Sequence, residues 1–156
     1  MKKKNKILLL ALACMFLGSV SAENLNPILL FIQMPDSICP YVDQHARMRM
    51  LELYRANDII GVDNFTGGKS RVTELTDKHI SVKISDQYKF TIFVRADDWL
   101  FIETACAPVC SSIARIYTDQ WTYKQTLPVD KTKFLEIVIQ NELPHYVNHT
   151  GQLIEQ

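Results

Sequence analysis

The chain has 156 residues, 17 basic and 17 acidic, with zero formal net charge, and 47% of its residues are hydrophobic. That size and balance describe one ordinary globular domain. They exclude a strongly basic nucleic-acid binder and a low-hydrophobicity disordered chain.

The chain opens on Lys2, Lys3, Lys4 and Lys6, then an apolar run from Ile7 to Leu17, then the small residues Val20-Ser21-Ala22. This is the layout of a secretory signal cut before Glu23. The run is about 11 residues long, too short for a bilayer core that needs ~20. Lipidation at Cys14 is disfavoured, because Ala11-Leu12-Ala13 fits such a site poorly and Met15-Phe16-Leu17 continues the apolar run. Removal of residues 1–22 leaves about 134 residues, with 13 basic and 17 acidic side chains. The expected organisation is a signal peptide over 1–22 and a single domain over 23–156, exported to the periplasm or beyond. A net negative, patch-free mature chain argues against nucleic acid or an anionic membrane surface as partner, and no later segment is long and apolar enough to span a membrane.

Pro27 precedes Ile28-Leu29-Leu30-Phe31-Ile32, an apolar run that suits a buried strand or a docking segment. Met34-Pro35-Asp36-Ser37 predicts a turn. Asp36 or Ser37 is placed to cap a helix, with Pro40 in its first turn. Ile38, Val42, Ala46, Met50, Leu53 and Tyr54 recur at spacings of three and four and so share one helical face, with Arg47, Arg49 and Glu52 off it. Asn57-Asp58 and Gly61 end the helical region. Asn64 to Ser70 invites a phosphate-loop reading, but Asp63 stands where that motif needs glycine, and the segment leads from helix to strand rather than the reverse. A turn in which Gly67 and Gly68 supply positive φ is the better reading.

Beyond Lys69 the period falls to two. Ile80, Val82 and Ile84 alternate with Ser81, Lys83 and Ser85. Tyr88, Phe90, Ile92 and Val94 alternate with Lys89, Thr91, Phe93 and Arg95. Trp99 to Cys106 and Ser111 to Thr118 read as further strands; Trp121 to Thr126 either continues the latter or forms a fifth, and Val72 to Thr76 is an optional earlier one. Short connections require antiparallel pairing. The expected fold is α+β, with an N-terminal helical region packed on one face of an antiparallel meander of four to five strands. Residues 131–140 suit a helix capped by Asp130, while 134–139 suit a strand; periodicity alone does not decide. Residues 145–156 read as a flexible tail.

Three cysteines remain after cleavage: Cys39, Cys106 and Cys110. Cys106-Ala107-Pro108-Val109-Cys110 lies between two predicted strands, where a three-residue loop sets the thiols opposite each other at disulfide spacing. Redox dithiols use two intervening residues at a helix N-terminus, and a zinc site needs two further ligands. A structural bridge is the leading expectation, with free or buried thiols as the alternative. His145 and His149 are four apart, but Pro144 and Gly151 flank them and no carboxylate is in register; a solvated tail is expected there and no metal. His45 and His79 look isolated. Asn64 and Asn148 head Asn-x-Thr triplets, which matter only in a host that glycosylates them. Asp97-Asp98 sits in a predicted turn. No segment proposes a nucleophile with its base, and no cofactor is expected. Trp99, Phe101, Trp121 and Tyr123 either form an aromatic surface for a partner or complete a second small core.

Met34-Pro35-Asp36-Ser37, Gly67-Gly68-Lys69-Ser70 and Cys106 through Ser112 together resemble a family of secreted proteins from Gram-negative anaerobes, domain of unknown function 3256, over about residues 28–127. The helix-then-sheet order is similar to β-lactamase-inhibitor-like modules. The resemblance implies no catalytic residues. The function expected is an exported, non-enzymatic module that binds a protein partner in the cell envelope through its sheet. The alternatives are a secreted enzyme whose site converges only in three dimensions, and a structural envelope component.

Overall fold

In a computed structural model, residues 25–128, 136–148 and 150–154 are described. The signal-like segment, Cys14 and His149 lie outside the described residues. Two helices, a seven-stranded sheet and a three-stranded sheet make three layers.

The first helix, α1 (Pro27–Gln33), occupies the run that the sequence left between strand and docking segment. Its cause is at its start. The Asn26 side chain accepts from the Ile28 amide, and Pro27 fills the first helical position, where its missing N–H is harmless. The second helix, α2 (Gln44–Arg55), begins later than the sequence suggests. Asp43 caps it by accepting from the Ala46 amide, and residues around Pro40 form turns instead.

Seven strands follow in a meander: β1 (Val62–Asp63), β2 (Lys69–Leu75), β3 (His79–Lys83), β4 (Tyr88–Val94), β5 (Trp99–Cys106), β6 (Cys110–Tyr117) and β7 (Tyr123–Thr126). They lie in chain order across the sheet, all antiparallel. The expected four to five strands are therefore seven. The additional edge strand β1 has two residues, which is too short for alternation to reveal. Gly61, at φ +81°, is held by close approach: a Cβ there would fall 2.3 Å from the Ser70 carbonyl oxygen.

A second sheet holds β8 (Glu136–Gln140), β9 (Leu143–Val147) and β10 (Leu153–Ile154), in the order β10-β9-β8. The described part of 131–140 is strand, and the segment read as a tail carries two strands. The turn Asn141-Glu142 has φ of 50° and 57°, the positive pair that a two-residue hairpin needs.

The helices cover the inner face of the main sheet. Leu30, Phe31, Met34, Met50 and Leu51 pack there on Val72, Ile80, Val82, Phe90 and Ile92. The second sheet covers part of the outer face, where Ile137 joins Phe93, Leu100, Ile102, Ala114 and Ile116 in a separate cluster. Hydrophobic residues are thus buried on both faces, so Phe93, which the alternation placed among the polar positions, is core.

Arg47 lies inside the first layer, not off it. It is 2% exposed. Its guanidinium donates to the carbonyls of Met34 at 2.6 Å and Val42 at 2.8 Å, and to Asp36 at 3.2 Å. The chain between the two helices is a loop with no partner strand, and this one side chain secures two of its carbonyls, while those of Pro35 and Tyr41 accept the Ile38 and Phe65 amides.

Candidate functional site

Register places the outer-face side chains of the main sheet in rows. Lys83, Lys89, Thr104 and Ser112 are successive cross-strand partners; so are Ser81, Thr91, Ile102 and Ala114; so are His79, Phe93, Leu100 and Ile116. Along each row the chemistry changes between β4 and β5, or one strand earlier. The β5–β6 side is apolar except at Thr104 and Ser112, and β8 lies over it. The β2–β4 side carries Thr73, Ser81, Lys83, Lys89 and Thr91, and no described element covers it. A cavity of about 350 Å³ runs between this polar half-face and the Ile137-Val138-Ile139 stretch of β8.

The hydroxyls in this groove bond to one another and to backbone. Ser81 and Thr91 are 2.9 Å apart, and Thr73 donates to the Ser81 carbonyl at 3.2 Å. Thr104 and Ser112 are 2.8 Å apart, and Ser112 Oγ accepts the Ile137 amide at 2.9 Å. Lys83 reaches Asp86 and Lys89 reaches Glu136, each at 2.6 Å. The Lys83 ammonium beside it holds the Asp86 carboxyl below its usual value. A second cavity, about 670 Å³, lies on the other side of β8, walled by Phe93, Leu100, Ala114, Leu143 and Tyr146 and crossed at its rim by the Lys78–Glu142 ion pair at 3.3 Å.

Cys106 and Cys110 face each other across the β5–β6 turn at disulfide distance, their Cα atoms 3.8 Å apart. Cys39 is buried and free, and burial pushes its thiol pKa up. The glycine-pair turn is organised by Asn64. Its Oδ1 accepts from the Thr66 and Gly68 amides and the Thr66 hydroxyl, and its Nδ2 donates to Ser70 Oγ and the Ile84 carbonyl. Gly67 has φ of +83°; Gly68 does not share that conformation and contributes its amide instead. The amides a phosphate would need are therefore occupied, and the Asn64 nitrogen of the glycosylation triplet points into the protein.

Of the four aromatics, Trp99, Phe101 and Trp121 are buried and only Tyr123, at 54%, is exposed. Trp99 stacks on Tyr117 and meets Trp121 edge-on, with ring centroids 5.1 and 4.1 Å apart, and its Nε1 donates to the Thr118 carbonyl. They continue the inner core through Phe101 and Phe90. Asp98 pairs with Arg95 within its turn, and His145 lies on β9. Among the described residues no three His, Cys, Asp or Glu side chains gather to hold a metal.

His79 is not isolated. Its Nδ1 lies 3.0 Å from Thr76 Oγ1, and the Glu74 carboxylate is 3.2 Å from Nε2, off hydrogen-bond alignment. The trio looks like a nucleophile array, but Thr76 Oγ1 already accepts from the Lys78 and His79 amides. Both lone pairs are used, so the hydroxyl has none for attack. It locks the β2–β3 turn. The groove residues were visible in the sequence only as the polar half of the alternation, which any solvated face would show. What marks them out is that a covering layer stops beside them.

A family model described as "Protein of unknown function (DUF3256)" matches residues 18–150. No curated protein matches the chain. One similar solved structure is that of a domain of an uncharacterized protein from Porphyromonas gingivalis W83, 18% identical with a TM-score of 0.48. The match covers 69% of this chain and 60% of that one.

Proposed function

The chain belongs to the DUF3256 family of unknown function, and from that premise we propose that it is an exported, non-enzymatic module that binds a protein partner on the uncovered half of its main sheet. Export is supported by the cationic start, the apolar run and the small residues before Glu23. It is supported too by the cysteine pair, which oxidising compartments favour.

The observation that carries the binding role is the row structure of the outer face. Lys83, Lys89, Ser81 and Thr91 stand beside a covered apolar half and line a groove. Their hydroxyls are satisfied and their ammonium groups paired, so the surface is built for recognition rather than for proton transfer. Exposed pairs of this kind are worth only ~0–1 kcal/mol each.

Photo-crosslinking in the native host tests this. A crosslinker at Thr91 should capture one protein reproducibly from the envelope fraction, and a crosslinker at exposed Met48 on α2 should not. Capture from Met48 alone, or recovery of the native protein intact in cytosol with Met1 at its start, overturns the proposal.

A further inference from the structure

The groove has a backbone wall as well as a polar floor. Gln140 and Leu143 flank the two-residue turn Asn141-Glu142, and in such a hairpin the flanking pair is hydrogen-bonded. Counting back in twos, Val138 and Glu136 bond toward β9, through His145 and Val147. Ile137 and Ile139 then turn their N–H and C=O groups away from β9. Two observations support this parity. The Ile137 amide bonds Ser112 Oγ instead of β9, and Ile139 stands opposite Pro144, which has no N–H to offer. Among the described residues nothing pairs with the Ile139 edge, and it borders the 350 Å³ groove.

Edges of this kind recruit strands unless they are protected. The edges of the main sheet are protected: β1 has only two residues, and Tyr123-Lys124-Gln125-Thr126 of β7 is polar, carries a lysine and is exposed. The β8 edge is Ile137-Val138-Ile139, β-branched and uncharged, with Glu136 only at its start. It also has a floor at one side, where Thr73, Ser81 and Thr91 present hydroxyls. From these we infer that the partner is held by strand addition: an extended segment of a partner polypeptide pairs with β8 through the Ile139 N–H and C=O. Alternate side chains of that segment face the hydroxyl and lysine floor of β2–β4, and the others face solvent. Polar, hydroxyl- or amide-bearing residues fit the floor, because Lys83 and Lys89 are already neutralised by Asp86 and Glu136.

This rests on the protein-binding role proposed above and deepens it. The test selects displayed random ten-residue peptides on the immobilised full-length protein, then uses the selected peptide as probe. Binding should slow hydrogen exchange at the Ile139 amide at least tenfold. Ile139→Pro should weaken binding about tenfold or more, the value of one or two backbone hydrogen bonds, while Ile139→Val should bind as the parent does. The exchange measurement needs no variant, so a misfolded Ile139→Pro does not rescue or sink the idea.

Three results overturn it. Protection of the floor strands by a peptide while Ile139 exchanges unchanged removes strand addition and leaves the protein-binding role standing. Protection that appears without peptide and grows with protein concentration makes the occupant a second copy. Recovery of no binder removes strand addition; if Thr91 crosslinking also captures nothing, the protein-binding role falls with it.

Discussion

Asn64 and Asn148 hold two hairpin turns in the same way. Each Oδ1 accepts from the amide and the hydroxyl of the threonine two residues on, at 3.0 and 2.7 Å in both turns. Each also accepts from the amide four residues on, Gly68 at 3.0 Å and Gln152 at 2.9 Å. Gly67 and Gly151 follow with φ of 83° and 76°. The string Asn-x-Thr-Gly thus acts as a turn signal, closing β1–β2 and β9–β10.

The two turns differ in burial, and that difference is testable. Asn64 is 7% exposed, and its Nδ2 meets Ser70 Oγ and the Ile84 carbonyl inside the protein. Asn64→Ala should strand buried groups and lower stability by about 3 kcal/mol. Asn148 sits near the surface, its Nδ2 reaching only Gln152 at 3.5 Å, and Asn148→Ala should lower stability by less than ~1 kcal/mol. Urea midpoints of the two variants check this; equal losses would contradict the burial argument.

Arg47 should be intolerant of substitution although Asp36, its charged partner, should not be. Asp36 is 69% exposed at its side chain, so the ion pair itself is worth little. The carbonyls of Met34 and Val42 are what the guanidinium secures. Arg47→Met should cost about 3 kcal/mol or more, and Asp36→Asn less than ~1 kcal/mol. Thermal or chemical unfolding of both variants decides between a carbonyl role and a charge role.

Alkaline pH should destabilise the fold. Burial raises the pKa of the Cys39 thiol and of the Tyr88 and Tyr117 phenols. Each group is neutral when protonated, and the folded state holds its proton more tightly than the unfolded chain does. The stability it gives is complete below the ordinary values of 9.0 and 10.0, and it is lost as pH rises past them toward the folded values. Urea midpoints should be level from pH 7 to about 9 and should fall beyond it. Cys39→Ala should delay the onset; a profile identical to the parent's would remove the thiol from the account.

The His79 ring should carry its proton on Nε2. Thr76 Oγ1 accepts two amides, at 3.2 and 3.1 Å, so its own hydrogen points to Nδ1. Long-range nitrogen–proton spectra of the neutral ring should report a single Nε2–H tautomer, and Thr76→Val should weaken that preference, leaving only the Glu74 carboxylate beside Nε2 to favour it. A protonated Nδ1 in the parent would refute the assignment.

Where one physical signal dominated, the sequence was transparent. Strands β3 and β4 follow period two because the helices bury one face of each, and their ends fall within a residue or two of the alternation. The Cys106–Cys110 turn was readable because a three-residue loop leaves few geometries. The failures share a cause: local pattern cannot report what a second layer will cover. Arg47 lies off an apolar stripe and is buried by carbonyls that no periodicity records. Phe93 falls in the polar register of β4 and is buried by β8, an element that begins at Glu136, far along the chain. The groove follows from where β8 stops, so no single segment could have announced it. The α1 start was the exception. Asn26-Pro27 is a helix signal that the apolar run behind it obscured.

In the main sheet, strand order and chain order coincide. No strand there waits for a distant one, so each hairpin can close as soon as its second arm exists, with little loop entropy to overcome. A polypeptide threaded through a narrow pore and released from one end could build this sheet in the order of its delivery.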